Sequence, residues 1–162
     1  MALPQLIEED LRLFDSALAA LISKSEASMA ILIDQAGFLI TQAGQASQCD
    51  TTTLAALAAG SFAATQGMAS LTRETNFNSV YQQGDKSSLL ILSVDENCLL
   101  VVVFDAAISV GAVKYYALTT VTAVAEQLKK AHERNPDVGI DLAALNLEDT
   151  STFFQRKKVD VN

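Results

Sequence analysis

The sequence predicts an α+β fold in which a five-stranded antiparallel sheet carries two helices on one face and a third, central helix on the other. Apolar residues recur with helical spacing near both ends of the chain, and short β-rich runs separated by turn residues lie between them. Every pair of consecutive strands, except the pair divided by the central helix, is joined by a tight turn. This pattern favours antiparallel neighbours and gives the order α-β-β-α-β-β-β-α.

The first helix is predicted over residues 3–23, because its apolar residues are spaced by four and three: Ile7, Leu11, Phe14, Leu18 and Leu21. Pro4 suits the first turn of such a helix. A hairpin follows, since two β-rich runs flank the turn "DQAG" in "AILIDQAGFLI". Asp50 or Thr51 then caps the central helix, which is expected to end near residue 72.

Three further strands are predicted at "FNSVYQQG", "SSLLILSV" and "CLLVVVFD". The run "LLVVVF" is apolar at every position, which is typical of a strand covered on both faces. The last helix starts near Asp105 or Ser109, and its predicted buried stripe is Val110, Val113, Ala117, Val121, Val124, Leu128 and Ala131. It ends at Asn135-Pro136, so residues 1–135 form one domain and residues 136–162 a separate C-terminal tail.

Composition excludes several classes of function. The formal net charge of −8 argues against binding to nucleic acid or to an anionic membrane surface. Acidic residues occupy the N-terminus where an export signal needs basic ones, so a cytoplasmic protein is expected. The only two cysteines are far apart and are expected to be reduced, and a single histidine makes a metal site improbable. No cofactor and no metal are therefore predicted.

The central helix is unusual because residues 51–72 carry no charge. The run is long enough to cross a membrane, but its many Thr, Ser, Gln and Gly residues argue against insertion. Its bulky residues, Leu54, Leu57, Met68 and Leu71, share one side and are expected to pack on the sheet. An adjacent stripe holds only small residues: Ala56, Gly60, Ala63 and Gly67.

Each glycine in this stripe costs about 0.5–1 kcal/mol relative to alanine in a helix interior. One interpretation is that small residues let the helix approach its own sheet or a neighbouring helix of the same domain. The other is that two chains meet here, because charged residues are depleted at the centres of interfaces. The strand "FNSVYQQ" is then the edge that pairs across a symmetric dimer, with Phe77, Val80, Tyr81 and Gln83 as its contact residues.

Four segments resemble the Roadblock/dynein light chain family, and within it the bacterial mutual gliding (MglB-like) members. They are "ILIDQAGFLI", "TLAALAAGSFAATQGMASL", "VYQQGD" and "LLVVVFDAAISVGAVKYY". The resemblance covers residues 6–131 and implies a Roadblock-type fold and a dimer formed through the middle helix and the following strand. It also implies a partner, a Ras-like small GTPase of the MglA type, whose GTP hydrolysis the dimer accelerates.

By the same resemblance, the surface that contacts the GTPase comprises Ala56, Ala59, Gly60, Ala63, Ala64, Gly67 and Ser70. Such proteins supply no catalytic residue and instead stabilise the GTPase conformation in which its own side chains reach the phosphates. The tail residues Phe153, Phe154, Arg156, Lys157 and Lys158 are candidates for a second contact, with a solvated terminus as the alternative. The family also implies roles in cell polarity and motility, with concentration at a cell pole.

The residues themselves indicate no chemistry on this chain. Neither a GxxxxGK[ST] nor a GxGxxG phosphate loop is present, and Asp34, Asp95 and Asp105 are explained by turn and capping roles. Arg73 is the one arginine near the proposed surface that could act as an arginine finger. Two other functions stay open: an adaptor that binds a GTPase or motor subunit without activating it, and a small-molecule sensor.

Overall fold

A computed structural model of the chain describes residues 2–45 and 48–134. Three helices and five strands follow the predicted order: α1 (Glu8–Ser25), β1 (Met29–Asp34), β2 (Leu39–Gly44), α2 (Thr51–Leu71), β3 (Ser79–Gln82), β4 (Ser87–Ser93), β5 (Cys98–Asp105) and α3 (Val110–Arg134). The predicted tail, residues 136–162, lies outside the described residues. The fold class predicted from the sequence is confirmed.

The strands form one antiparallel sheet in the order β2-β1-β5-β4-β3. Strand β5 is central, and its side chains alternate between two apolar cores, as its unbroken apolar sequence predicts. Leu100 and Val102 face α1 and α3, whereas Leu99 and Val101 face α2. Strand β3 forms one edge of the sheet and β2 forms the other.

Helix α1 begins five residues later than the sequence predicts, so Pro4 precedes it. The backbone of Ile7 is extended, and its N–H donates to the Asp10 carboxylate at 2.8 Å. This side chain therefore satisfies a backbone donor at the start of the helix, which fixes the boundary there. Asp10 is fully buried although it is ionisable.

Asp10 also joins α1 to α3. Its carboxylate accepts hydrogen bonds from the Gln127 amide at 2.6 Å and from the Arg134 guanidinium at 2.5 Å. Burial, the largest single influence, raises the pKa of Asp10. The bonds from Arg134, Ile7 and Gln127, with the positive charge of Arg134, together outweigh it and lower that pKa below its usual range.

Helix α2 covers the other face of the sheet. Asp50 caps it by accepting the Thr53 N–H at 3.0 Å, as predicted. By length and composition alone, α2 is the one helix in the described part of the chain that could cross a membrane. In the fold, however, Phe62 and three alanines of α2 pack against strands β1 and β5.

Candidate functional site

Helix α2 has two apolar sides, and the structure reverses the predicted choice between them. The side chains buried against the sheet are Ala55, Ala58, Ala59 and Phe62. Leu57, Met68 and Leu71 were expected to pack there but are 67%, 58% and 86% exposed. Of the four bulky residues assigned to the sheet, Leu54 alone is partly buried against that core.

The reversal has a steric cause. The strands beneath α2 present bulky side chains, among them Ile31, Ile33 and Val101, so alanines on the facing helix let the two layers approach closely. The same close approach occurs at the β1–β2 turn, where a Cβ added to Gly37 would lie 2.9 Å from the Ala56 Cα. Phe62 supplies the one large buried side chain and packs on Phe77, with ring centroids 4.9 Å apart.

The solvent-facing side of α2 is apolar and uncharged. At about 100° per residue, Leu57, Ala64, Met68 and Leu71 fall within about 60° of arc. The small-residue stripe, Ala56, Gly60, Ala63 and Gly67, lies beside them and is exposed along its whole length. We call these eight residues together the outer face of α2.

The glycines of the outer face are not explained by packing within the chain. A Cβ built at Gly60 or Gly67 meets no atom within 4 Å. The interpretation that these glycines let α2 approach its own sheet or a helix of the same domain is therefore wrong for the described residues. Among the described residues, no contact requires glycine at these two positions.

Ala59 is a correction to the predicted contact set. Its side chain is only 5% exposed because it packs in the core between α2 and the sheet. The other six predicted contact residues, Ala56, Gly60, Ala63, Ala64, Gly67 and Ser70, are all exposed. Leu57, Met68 and Leu71 join them on the surface, and sequence reasoning missed them because it assigned them to the core.

The predicted dimer-edge residues lie at or beside β3. Val80 and Phe77 are half-buried toward α2. Tyr81 faces the opposite core and stacks on Phe104, with ring centroids 6.3 Å apart. Gln83 follows the strand and is exposed. The strand therefore keeps apolar side chains on both faces up to an edge that no described residue of the same chain covers.

An open groove of about 450 Å³ lies between the start of α2 and the strand ends at Met29, Gln82 and Ser87. Apolar side chains line part of it, among them Leu54, Leu89 and Val103, and the exposed thiol of Cys49 lies at its rim. The other cysteine, Cys98, is buried, and this burial raises the pKa of its thiol.

The polar residues have structural roles. Asp34, Asp95 and Asp105 each accept backbone N–H groups two or three residues further on, at 2.6–2.8 Å, which confirms the predicted turn roles. Arg73 ends α2 in a left-handed conformation with φ 60°, and it is exposed. The predicted tail contacts, residues 153–158, lie outside the described part of the chain.

A single antiparallel sheet with two helices behind it and one helix in front is the α+β arrangement that defines the Roadblock class of domain. The Roadblock/LC7 domain profile matches residues 13–104, and the chain belongs to that family. The resemblance found in the sequence is thereby confirmed.

The chain is similar to solved structures of MglB. For Myxococcus xanthus MglB the identity is 31%, over 78% of this chain and 96% of that one, with a TM-score of 0.73. The gliding protein MglB of Thermus thermophilus is 28% identical over 80% of this chain and 98% of that one, with a TM-score of 0.73. An MglB with a tetrameric arrangement is 28% identical over 81% of this chain and 98% of that one, with a TM-score of 0.74. Among curated proteins, none matches this chain.

Proposed function

We propose that this chain is a homodimeric regulator of a Ras-like small GTPase of the MglA type and that it accelerates GTP hydrolysis by that partner. The likeness to MglB over most of both chains supports the class of protein. The observation that carries the proposal is the outer face of α2, where large apolar side chains and bare glycines are exposed together.

The outer face suits a protein partner. Leu57 and Leu71 stand about 21 Å apart along the helix, and Gly60, Ala64 and Gly67 leave a shallow depression between them. A partner element can approach the helix backbone closely in that depression. Burial of the leucines against the partner stabilises the complex by roughly 25 cal/mol per Å² of apolar surface. Because the face has no charge, it opposes neither sign on the partner.

The proposed acceleration works through the conformation of the partner. A regulator that binds the catalytic conformation of a GTPase more tightly than its other conformations raises the population of that conformation. The rate then increases because the reacting groups are positioned, without any group from this chain at the phosphates. The residues of the outer face suit this role, since none of them can transfer a proton and none is positively charged.

Single-turnover GTP hydrolysis by an MglA-type GTPase, measured with and without this protein, tests the proposal. Ala63→Arg and Gly67→Arg are expected to weaken binding at least about tenfold, because each would bury an unpaired charge at the contact. Neither should disturb the fold, since Ala63 is exposed and nothing lies within 4 Å of a Cβ at Gly67.

Ala19→Arg is the matched control, because it places the same charge at an exposed alanine of α1, behind the sheet. Light scattering verifies that all three variants keep the oligomeric state of the native protein. Full acceleration by Ala63→Arg and Gly67→Arg would remove the outer face from the proposal. Binding of the GTPase without acceleration would instead identify an adaptor.

Arg73→Ala separates positioning from an arginine finger. Loss of a finger reduces hydrolysis by about 10³–10⁵-fold. We expect a change of less than about tenfold, because the proposed mechanism places no group of this chain at the phosphates. A loss of a thousandfold or more with unchanged binding would assign the finger to Arg73.

A further inference from the structure

We propose that residues 138–147 of the C-terminal tail dock in a groove between α1 and α3 of their own chain, with Glu148 and Asp149 beside Lys24. Helices α1 and α3 lie on the face of the sheet opposite to α2. The docking therefore concerns a second surface and does not depend on the proposed function.

The groove between α1 and α3 is open and apolar. Its volume is about 320 Å³, and side chains of both helices line it, among them Ala17, Ala20, Tyr116 and Ala123. Because alanines stand on both sides, the side chains of the two helices do not fill the space between them. Tyr115 also lines the groove, is 71% exposed, and meets Tyr116 edge-on with ring centroids 5.3 Å apart. An occupant would find apolar surface here that the described residues leave uncovered.

The helix segments that form the groove are neutral. Residues 16–23 of α1 and residues 115–125 of α3 carry no charge. Lys24 is the one charged residue that lines the groove; it is exposed and forms no ion pair with a described residue. An occupant that has apolar residues followed by acidic ones therefore matches both the groove and its single charge.

The chain itself carries such a segment directly after α3. Helix α3 ends at Arg134, and Pro136, a residue that interrupts helices, follows it. Between residues 135 and 149 there are four acidic residues and no basic one, and Glu148 and Asp149 come last. The stretch before them is rich in branched aliphatic residues, namely Val138, Ile140, Leu142, Leu145 and Leu147.

The tail leaves α3 on the side of that helix that faces α1. The Arg134 guanidinium donates to the Asp10 carboxylate at 2.5 Å, and the Gln127 amide donates to the same carboxylate at 2.6 Å. The start of α1 thus lies beside the end of α3, so the two helices are antiparallel. Lys24, near the end of α1, consequently lies at the end of the groove that is distant from Arg134.

The tail is long enough to fill the groove in this direction. Arg134 and Ala123 are about 17 Å apart along α3, at 1.5 Å per residue. An extended chain covers that distance in about five residues, so Ile140 can reach the groove. Tyr116 lies about 10 Å further along α3, a distance that the next apolar residues can span. The two acidic residues then arrive at the end of the groove where the lysine lies.

A tethered segment has an advantage over any separate molecule as the occupant. Its attachment at Arg134 gives it an effective concentration of about millimolar order, so a contact too weak to hold a free partner suffices. A second copy of the chain must approach against repulsion, because each copy carries a net charge of −8. The tail of the same chain is therefore the favoured occupant.

Disulfide trapping in the full-length chain tests the docking. Cys49→Ser removes the exposed native thiol, whereas Cys98 is buried and is kept. Ala20→Cys in the groove and Leu145→Cys in the tail then form a pair that oxidised glutathione closes when the two Cα atoms come within about 7 Å. In the matched control Ala19→Cys replaces Ala20→Cys, since Ala19 is also exposed on α1 but does not line the groove.

We expect the pair at positions 20 and 145 to close at least about tenfold faster than the pair at 19 and 145, as a disulfide within one chain. Equal rates for the two pairs would overturn the proposal, because the tail would then reach both sides of α1 alike. Disulfides that join two chains would assign the groove to the tail of another copy and would overturn it as well.

Leu142→Asp tests the apolar contact within the trapped pair. It should slow closure of the pair at positions 20 and 145 at least about tenfold, because docking would bury an unpaired charge. Val159→Asp is the matched control, since it places the same charge in the tail beyond the docked segment, and it should leave the rate unchanged. Closure of Leu142→Asp at the native rate would refute apolar docking.

Lys24→Gln tests the charge contact. Loss of an exposed ion pair should slow closure of the same cysteine pair by about two- to fivefold. Ser23→Glu is the matched control, because it changes the net charge by the same amount at an exposed neighbour that does not line the groove. Equal slowing by both variants, or no slowing by Lys24→Gln, would refute the contact of Glu148 and Asp149 with Lys24.

Discussion

The reversed orientation of α2 makes a sharp prediction about stability. Phe62 is 3% exposed and is the one large side chain of α2 that is buried in the core. Phe62→Ala is therefore expected to lower the free energy of unfolding by about 3–5 kcal/mol, the range for truncating a buried aromatic residue. The tilted ring contact with Phe77 accounts for about 0.5–1.5 kcal/mol of that loss.

Leu57→Ala is the contrasting change on the opposite side of the same helix. Leu57 is 67% exposed, so its truncation should alter the free energy of unfolding by less than about 0.5 kcal/mol. Alanine is at least as good a helix former as leucine, so propensity adds no penalty. The two substitutions thus differ by several kcal/mol although both remove a large apolar side chain from α2.

Urea denaturation followed by circular dichroism measures both changes. All proteins must be compared at one protomer concentration, because the proposed dimer would contribute to apparent stability. A loss of about 2 kcal/mol or more in Leu57→Ala, independent of protein concentration, would show that Leu57 packs on the sheet as its sequence pattern suggested. A small effect of Phe62→Ala would refute the assignment of Phe62 as the anchor.

Two further predictions concern particular residues. Gly60→Ala should raise the free energy of unfolding by about 0.5–1 kcal/mol, since its Cβ meets nothing within 4 Å. Gly37→Ala should lower the free energy of unfolding, since φ is +97° and the added Cβ would clash with Ala56. Urea denaturation compares the two variants. A destabilised Gly60→Ala would contradict the assignment of Gly60 to an open surface. Asp10→Ala should cost about 2–4 kcal/mol at neutral pH, because Arg134 and a buried amide lose their partner. The pKa of Asp10 is lowered on folding, so the contribution of its charge is present above its usual pKa and is lost as pH falls through the lowered pKa; a difference between native and variant stability that does not shrink in acid would contradict it.

Local patterns were sufficient to predict the order of the elements and the sheet. Tight turns such as "DQAG" leave few topologies open, and the apolar run of β5 marks it as covered on both faces. The start of α1 is set by the local bond from the Ile7 N–H to the Asp10 carboxylate, and the apolar spacing and Pro4 pointed to an earlier start instead. The contacts of Asp10 with Gln127 and Arg134, more than one hundred residues away, could not be indicated by any local pattern.

The orientation of α2 could not be read from the sequence for a different reason. An ordinary amphipathic helix marks its outer side with charge, but α2 has none, so either side could face the sheet. Assigning the leucines to the core follows the usual preference for large buried side chains. The structure favours alanines there because the facing strands already fill the space with branched side chains.

The same absence of charge is what makes α2 informative about function. A helix that buried its leucines and exposed its alanines would satisfy one chain, and glycines on its outer side would then be neutral or harmful. Here the leucines are exposed, the glycines contact nothing, and half of the helix lacks a core. Each feature is unfavourable for a solitary domain, because exposed large side chains forgo about 1.5–3 kcal/mol of burial each. All three costs would fall if a partner covered the outer face of α2, as the proposed function requires.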